Sequence, residues 1–76
     1  MTGTPRPTSA AARSATSAEI SSLASSLSEI SRRVSALTSD LRAGGDEDGA
    51  ADILPVEKAL EAALRRFDRV LRNWSA

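Results

Sequence analysis

Apolar residues recur along this chain in two series, each with alternating steps of three and four positions. A short stretch rich in glycine and acidic residues separates the two series. Steps of three and four keep apolar side chains on one side of an α-helix, as in coiled coils. The pattern therefore predicts an all-α fold, a coiled-coil-like antiparallel hairpin of two helices. The first series is Ile20, Leu23, Leu27, Ile30, Val34, Leu37 and Leu41, and the second is Ile53, Val56, Leu60, Ala63, Phe67, Val70 and Trp74.

The N-terminal part of the chain differs in composition from the rest. Residues 1–15 contain Thr, Pro, Ser, Ala and Arg with one large apolar side chain, which predicts a disordered tail. Thr16 and Glu19 then fit a capping box, in which each side chain bonds to the other residue's backbone N–H. The hairpin is therefore predicted over 16–76, with its first helix over 16–42.

The glycine-rich stretch predicts the connection between the helices. Gly44 or Gly45 can adopt the left-handed conformation that ends a helix, and an acidic loop is predicted over 43–51. Asp52 is predicted to cap a second helix over 52–74. Pro55 would then lie in the first turn, where a helix tolerates proline. A turn centred near Asp48 and Gly49 predicts a register in which Leu37 lies beside Leu60.

The length of the chain makes self-association an expected property. Seventy-six residues allow one small domain, near the lower limit for independent folding. Two helices that meet along one seam bury little apolar surface, so we predict a homodimer that forms a four-helix bundle, or association with another helical protein. The predicted interaction seam consists of Leu23, Leu27, Ile30, Val34, Leu37, Val56, Leu60, Leu64, Phe67, Val70, Leu71 and Trp74.

Two leucines beside the second series widen its apolar stripe. Leu64 and Leu71 are predicted to remain exposed on the hairpin and to contact a second protomer. On this assignment of faces, Ile30→Asp should unfold the hairpin, whereas Leu71→Asp should dissociate the dimer and leave much of the helical structure intact. The abundant serines of the first helix are small, and they let two helices approach closely.

Composition argues against catalysis. The chain has no His, Cys or Tyr, so the commonest general base, the thiolate nucleophile and the phenolic acid are missing. The acidic loop does not fit an EF-hand, because Ala50 and Ala51 occupy the fifth and sixth positions of a loop that starts at Asp46. We therefore predict a non-enzymatic interaction module without cofactor or metal.

Charge separates the remaining classes of partner. Ten basic and ten acidic residues cancel, which disfavours nucleic acid. Arginines of the second helix interleave with its apolar residues, so a peripheral binder of anionic membranes is the alternative function. The simpler interpretation is a solvated face with pairs such as Asp68–Arg72. No secretory signal and no membrane-spanning apolar run is present in the sequence, so a cytoplasmic location is expected.

Arg32-Arg33-Val34-Ser35 resembles a site for a basophilic Ser/Thr kinase. Ser35 lies off the predicted seam, so its hydroxyl should be exposed to solvent. A phosphate on this hydroxyl could pair with Arg32. The sequence alone leaves open whether Ser35 is modified.

Three segments follow one another along the chain: a leucine-rich helix end, an acidic glycine loop and a Leu-Arg-x-Trp motif. They are Leu37 to Leu41, Gly44 to Asp52, and Leu71-Arg72-Asn73-Trp74. Over about positions 17–75, this arrangement resembles the dimerising helix pair of C-terminal docking domains in actinobacterial modular polyketide synthases. In that family, two helices joined by a short acidic glycine loop assemble as an intertwined four-helix dimer. The resemblance implies dimerisation through both helices and, as an alternative function, a docking element of such an assembly.

Overall fold

The computed structural model of the chain describes residues 9–75, which form two long helices and no strand. Helix α1 spans Ser9–Ala43 and helix α2 spans Glu47–Ser75. The two helices pack side by side in opposite directions, which confirms the predicted all-α hairpin. The Cα radius of gyration is 18.3 Å, whereas a compact domain of this length has about 11 Å. The hairpin is therefore a rod rather than a globule.

Helix α1 extends beyond its predicted N-terminal boundary. Residues 9–15 are helical, so the prediction of a disordered tail is wrong there, and residues 1–8 lie outside the described part of the chain. Three alanines at 10–12 have the highest helix propensity of any residue. The guanidinium carbon of Arg13 also lies 4.3 Å from the ring centroid of Trp74 in α2. Because the helix is continuous through the predicted capping box, that box does not mark a helix start.

A glycine ends α1 as the sequence predicts. Gly45 has a φ of 82°, the left-handed conformation that glycine adopts without steric cost. Its N–H donates to the carbonyl of Arg42 at 3.0 Å, and the N–H of Asp46 donates to the carbonyl of Leu41 at 2.8 Å. These two bonds form a Schellman motif, which satisfies the last carbonyls of the helix.

The same aspartate that completes this motif starts α2. One carboxylate oxygen of Asp46 accepts the N–H of Gly49 at 2.8 Å, and its carbonyl accepts the N–H of Ala50 at 3.1 Å. These are the bonds of an N-cap, so α2 begins at the next residue. The connection is therefore limited to residues 44–46, and the predicted loop over 43–51 is wrong.

The early start of α2 places Pro55 inside a helix. Had Asp52 been the cap, as predicted, this proline would have occupied the first turn. In α2 it cannot donate to the carbonyl of Ala51, four residues earlier. The Asp46 cap and the burial of Ala50, which is 1% exposed, hold the segment before the proline in helical form.

We expect Gly45→Ala to lower the free energy of unfolding by about 1 kcal/mol, because an alanine at positive φ is strained. Gly44→Ala is the matched control, since Gly44 does not have positive φ and an added Cβ would lie 3.4 Å from its closest neighbour, the Asp40 carbonyl oxygen. Urea unfolding followed by circular dichroism measures the free energy of unfolding of both variants. Equal stability of the two variants would contradict this account of the turn.

Candidate interaction surface

Small residues at seven-residue spacing form the side of α1 that faces α2. Thr38 is 1% exposed, and Ser17, Ala24 and Ser31 are half-buried on the same side. The Thr38 hydroxyl donates to the carbonyl of Val34 at 3.1 Å, so burial leaves its oxygen hydrogen-bonded. Because these side chains are small, the larger residues of α2 can pack close to the α1 backbone.

The side of α2 that faces α1 also repeats every seven residues. Ala50 is buried, and the Ser35 hydroxyl of α1 donates to a carboxylate oxygen of Glu57 at 2.5 Å. Leu64 and Leu71 continue the same spacing and are half-buried. Within the hairpin, these two leucines therefore belong to the contact between the helices.

Part of the predicted seam lies on the outside of the hairpin in the structure. Three residues predicted to lie inside the hairpin are exposed: Leu23 at 48%, and Ile30 and Leu37 at 47% each. On α2, Val56 is 48% exposed, and the half-buried Ala63 and Val70 continue its seven-residue spacing. We call this surface the outer stripe, and it consists of Leu23, Ile30, Leu37, Val56, Ala63 and Val70.

The remaining residues of the predicted seam lie between the inner faces and the outer stripe. All are half-buried, so each helix contributes one row of apolar side chains that borders both surfaces. This arrangement follows from a stripe that is wider than a single coiled-coil seam. The residues in these rows are Leu27, Val34, Leu60, Phe67 and Trp74.

The level of one helix along the other also differs from the predicted register. That register placed Leu37 opposite Leu60, which would set Glu57 level with Asp40. The bond between Glu57 and Ser35 instead joins positions about five residues further from the turn on α1. The three-residue turn is the cause, because it starts α2 earlier and so moves each α2 residue further from the turn.

Arginines border the outer stripe on both helices. Arg33 lines a shallow groove of about 370 Å³ beside Ile30, and Arg66 lines one of about 250 Å³ beside Val70. Neither arginine forms an ion pair within residues 9–75, whereas Arg72, away from the stripe, pairs with an aspartate one turn earlier. Both guanidinium groups are therefore available to the carboxylates of a partner that covers the stripe.

The two buried residues, Thr38 and Ala50, and three half-buried residues of the inner face are absent from the predicted seam. Thr38 and Glu57 are polar, and Ala24, Ser31 and Ala50 are small, so a search for large apolar residues passes over them. The signal that identifies four of them is a seven-residue repeat, with small residues at 24, 31 and 38 on α1 and Ala50 seven positions before Glu57 on α2. Glu57 has no such signal by residue type, because its place depends on its bond to Ser35.

Within residues 9–75, no three His, Cys, Asp or Glu side chains gather in a way that could hold a metal ion. Neither α1 nor α2 combines the length and apolar character that crossing a membrane requires. Comparison with known protein families, curated proteins and solved structures finds no match to this chain. The outer stripe is therefore the candidate interaction surface of the hairpin.

Proposed function

We propose that this protein is a non-catalytic oligomerisation module, in which the outer stripe of the hairpin packs against a second copy to form a four-helix bundle. The observation that carries the proposal is the distribution of exposure. Of the residues with described side chains, only Ala50 and Thr38 are buried, whereas four of the six outer-stripe residues are 47–48% exposed. The described part of the hairpin thus buries no large apolar side chain fully, and it leaves four of them about half exposed.

The energetics favour covering this stripe. Completing the burial of a half-exposed Leu, Ile or Val side chain contributes about 1 kcal/mol. The stripe runs from Leu23 to Leu37, about 21 Å along α1, and a second row follows it on α2. A contiguous apolar surface of this kind marks a site of association. A helical hairpin is the shape that matches it, because two helices can pack along two rows.

The charges beside the stripe support a second copy as the partner. On α1, Asp40 lies one seven-residue step from Arg33 and on the same border of the stripe. If the last four turns of α1 pack antiparallel to the same turns of a second copy, Arg33 of each copy can lie opposite Asp40 of the other, and the contact covers Ile30 and Leu37. Two-fold symmetry then provides this pair twice. The resemblance to polyketide synthase docking domains implies the same use of both helices, and a docking role in such an assembly is one form of the proposal.

The test is the absolute mass of the purified chain in solution, measured by light scattering after size exclusion over a concentration series. The proposal expects 16.0 kDa, twice the 8.0 kDa of one chain. The mass should be insensitive to salt, because apolar contacts supply most of the free energy. A mass of 8.0 kDa at all concentrations would refute self-association.

The alternative of membrane binding is measured with the same sample. Arg66, Arg69 and Val70 border one shallow groove on α2, so this helix presents cations beside apolar surface. Vesicles of anionic lipid should leave the Trp74 emission unchanged if the outer stripe is occupied by a second copy. A blue shift on adding the vesicles, with a monomeric mass, would replace the proposal with a peripheral membrane binder.

A further inference from the structure

The hydroxyl of Ser35 connects the two helices directly. It is exposed, and it donates to a carboxylate oxygen of Glu57 at 2.5 Å. This side-chain hydrogen bond joins α1 to α2. Any change that removes the hydroxyl proton and adds negative charge at this position therefore acts on the contact between the helices.

The residues before Ser35 are those that a basophilic kinase recognises. Arg32 and Arg33 lie three and two positions before the hydroxyl, and both are exposed. Helix α1 also contains many serines, which have lower helix propensity than alanine. Since the hairpin buries few side chains, local opening of α1 costs little and gives a kinase access to an extended segment.

We propose that Ser35 is a phosphorylation site whose modification opens the hairpin. In the reaction, Ser35 Oγ attacks the γ-phosphorus of Mg-ATP, supplied with a kinase of the basophilic class. The new Oγ–P bond forms as the bond from the γ-phosphorus to the bridging oxygen breaks, so ADP leaves. The hydroxyl proton passes to the catalytic carboxylate of the kinase and then to solvent.

The product cannot keep the contact that the hydroxyl makes. Phosphoserine has no hydroxyl proton at Oγ, so the bond to Glu57 is lost, and a phosphate of about −1.5 to −2 charge faces a carboxylate. Arg32, one turn earlier, forms an exposed ion pair with Glu29, and a contact between this exposed arginine and the phosphate is weak compared with the lost bond and the new repulsion. Repulsion between α1 and α2 at this level separates the two rows of the outer stripe, because each helix carries one row.

This inference rests on the proposed dimer only for its effect on mass, and the effect on the hairpin is measured separately. The purified chain is treated with the catalytic subunit of cyclic-AMP-dependent kinase and Mg-ATP, and mass spectrometry locates the phosphate. Hydrogen exchange of α1 and α2 then reports hairpin opening, and light scattering reports association. We expect phosphate on Ser35 but not on Ser39, and faster hydrogen exchange in both helices. The dissociation constant of the dimer should rise about tenfold.

Charge exchange tests the contact without the kinase. Ser35→Asp should speed hydrogen exchange in both helices, because two carboxylates then face each other. Adding Glu57→Lys should return the exchange rate to that of the unchanged chain, because the aspartate and the lysine attract. Ser39→Asp is the matched control, since Ser39 is exposed on the same helix one turn away. No phosphate on Ser35, even in the loosened Gly45→Ala chain, would overturn the proposal. Unchanged hydrogen exchange after phosphorylation would also overturn it. If a chain that is already monomeric opened on phosphorylation, the phosphorylation proposal would be upheld and the dimer refuted.

Discussion

Ile30→Asp is expected to convert the proposed dimer into monomers that keep most of their helical structure. Ile30 is 47% exposed on the hairpin and lies at the middle of the α1 row of the outer stripe. In a dimer this position is covered, and an aspartate there would bury a charge without a partner. Because each dimer carries the substitution twice, we expect association to weaken about 100-fold or more. Light scattering measures the mass, and circular dichroism measures the helix content.

The matched control for this variant is Ala36→Asp. It adds the same charge to an exposed position of α1 away from the outer stripe, so it should leave the dimer mass unchanged. Dissociation by both variants would indicate a general effect of negative charge on α1. Retention of the full dimer mass by Ile30→Asp would show that the outer stripe is not the dimer interface.

Leu64→Asp is expected to unfold the hairpin itself. Leu64 lies on the side of α2 that faces α1, on the same seven-residue spacing as the buried Ala50. Removing a fully buried leucine costs about 2–5 kcal/mol; the half-buried Leu64 contributes part of that amount, and a carboxylate left between the helices adds to the cost. A small domain has about 5 kcal/mol of stability in total, so the helical signal should be largely lost at 25 °C.

Ala51→Asp serves as the control for this second variant, because it places the same side chain at an exposed position of α2. It should leave helix content intact, since an acid near a helix N-terminus is favourable. If Leu64→Asp instead gave a folded monomer, Leu64 would belong to the dimer interface, as the sequence alone suggested. The two aspartate variants together therefore distinguish the inner face from the outer stripe.

The boundaries of the helices were predictable only in part, and the turn shows why. The use of one glycine at the end of α1 followed from local backbone chemistry, and Gly45 fills that role. The cap of α2 could not be predicted from local chemistry, because Asp46 and Asp52 both precede helical sequence and both have a side chain that can cap a helix. Closing the Schellman motif at Asp46 places its carboxylate beside the N–H of Gly49, which decides between them.

Taken alone, the sequence determined that this chain forms two helices, that they fold back on each other, and that each has an apolar stripe. Those properties follow from periodicity and from one glycine, which act within a helix or a turn. Only the tertiary structure decided which part of each stripe lies inside the pair. Periodicity places residues on one side of a helix but does not set its rotation or its level against a neighbour. The three-residue turn sets the level, and the fit of small α1 residues around Thr38 against α2 sets the rotation, so Ile30 lies outside and Leu64 inside.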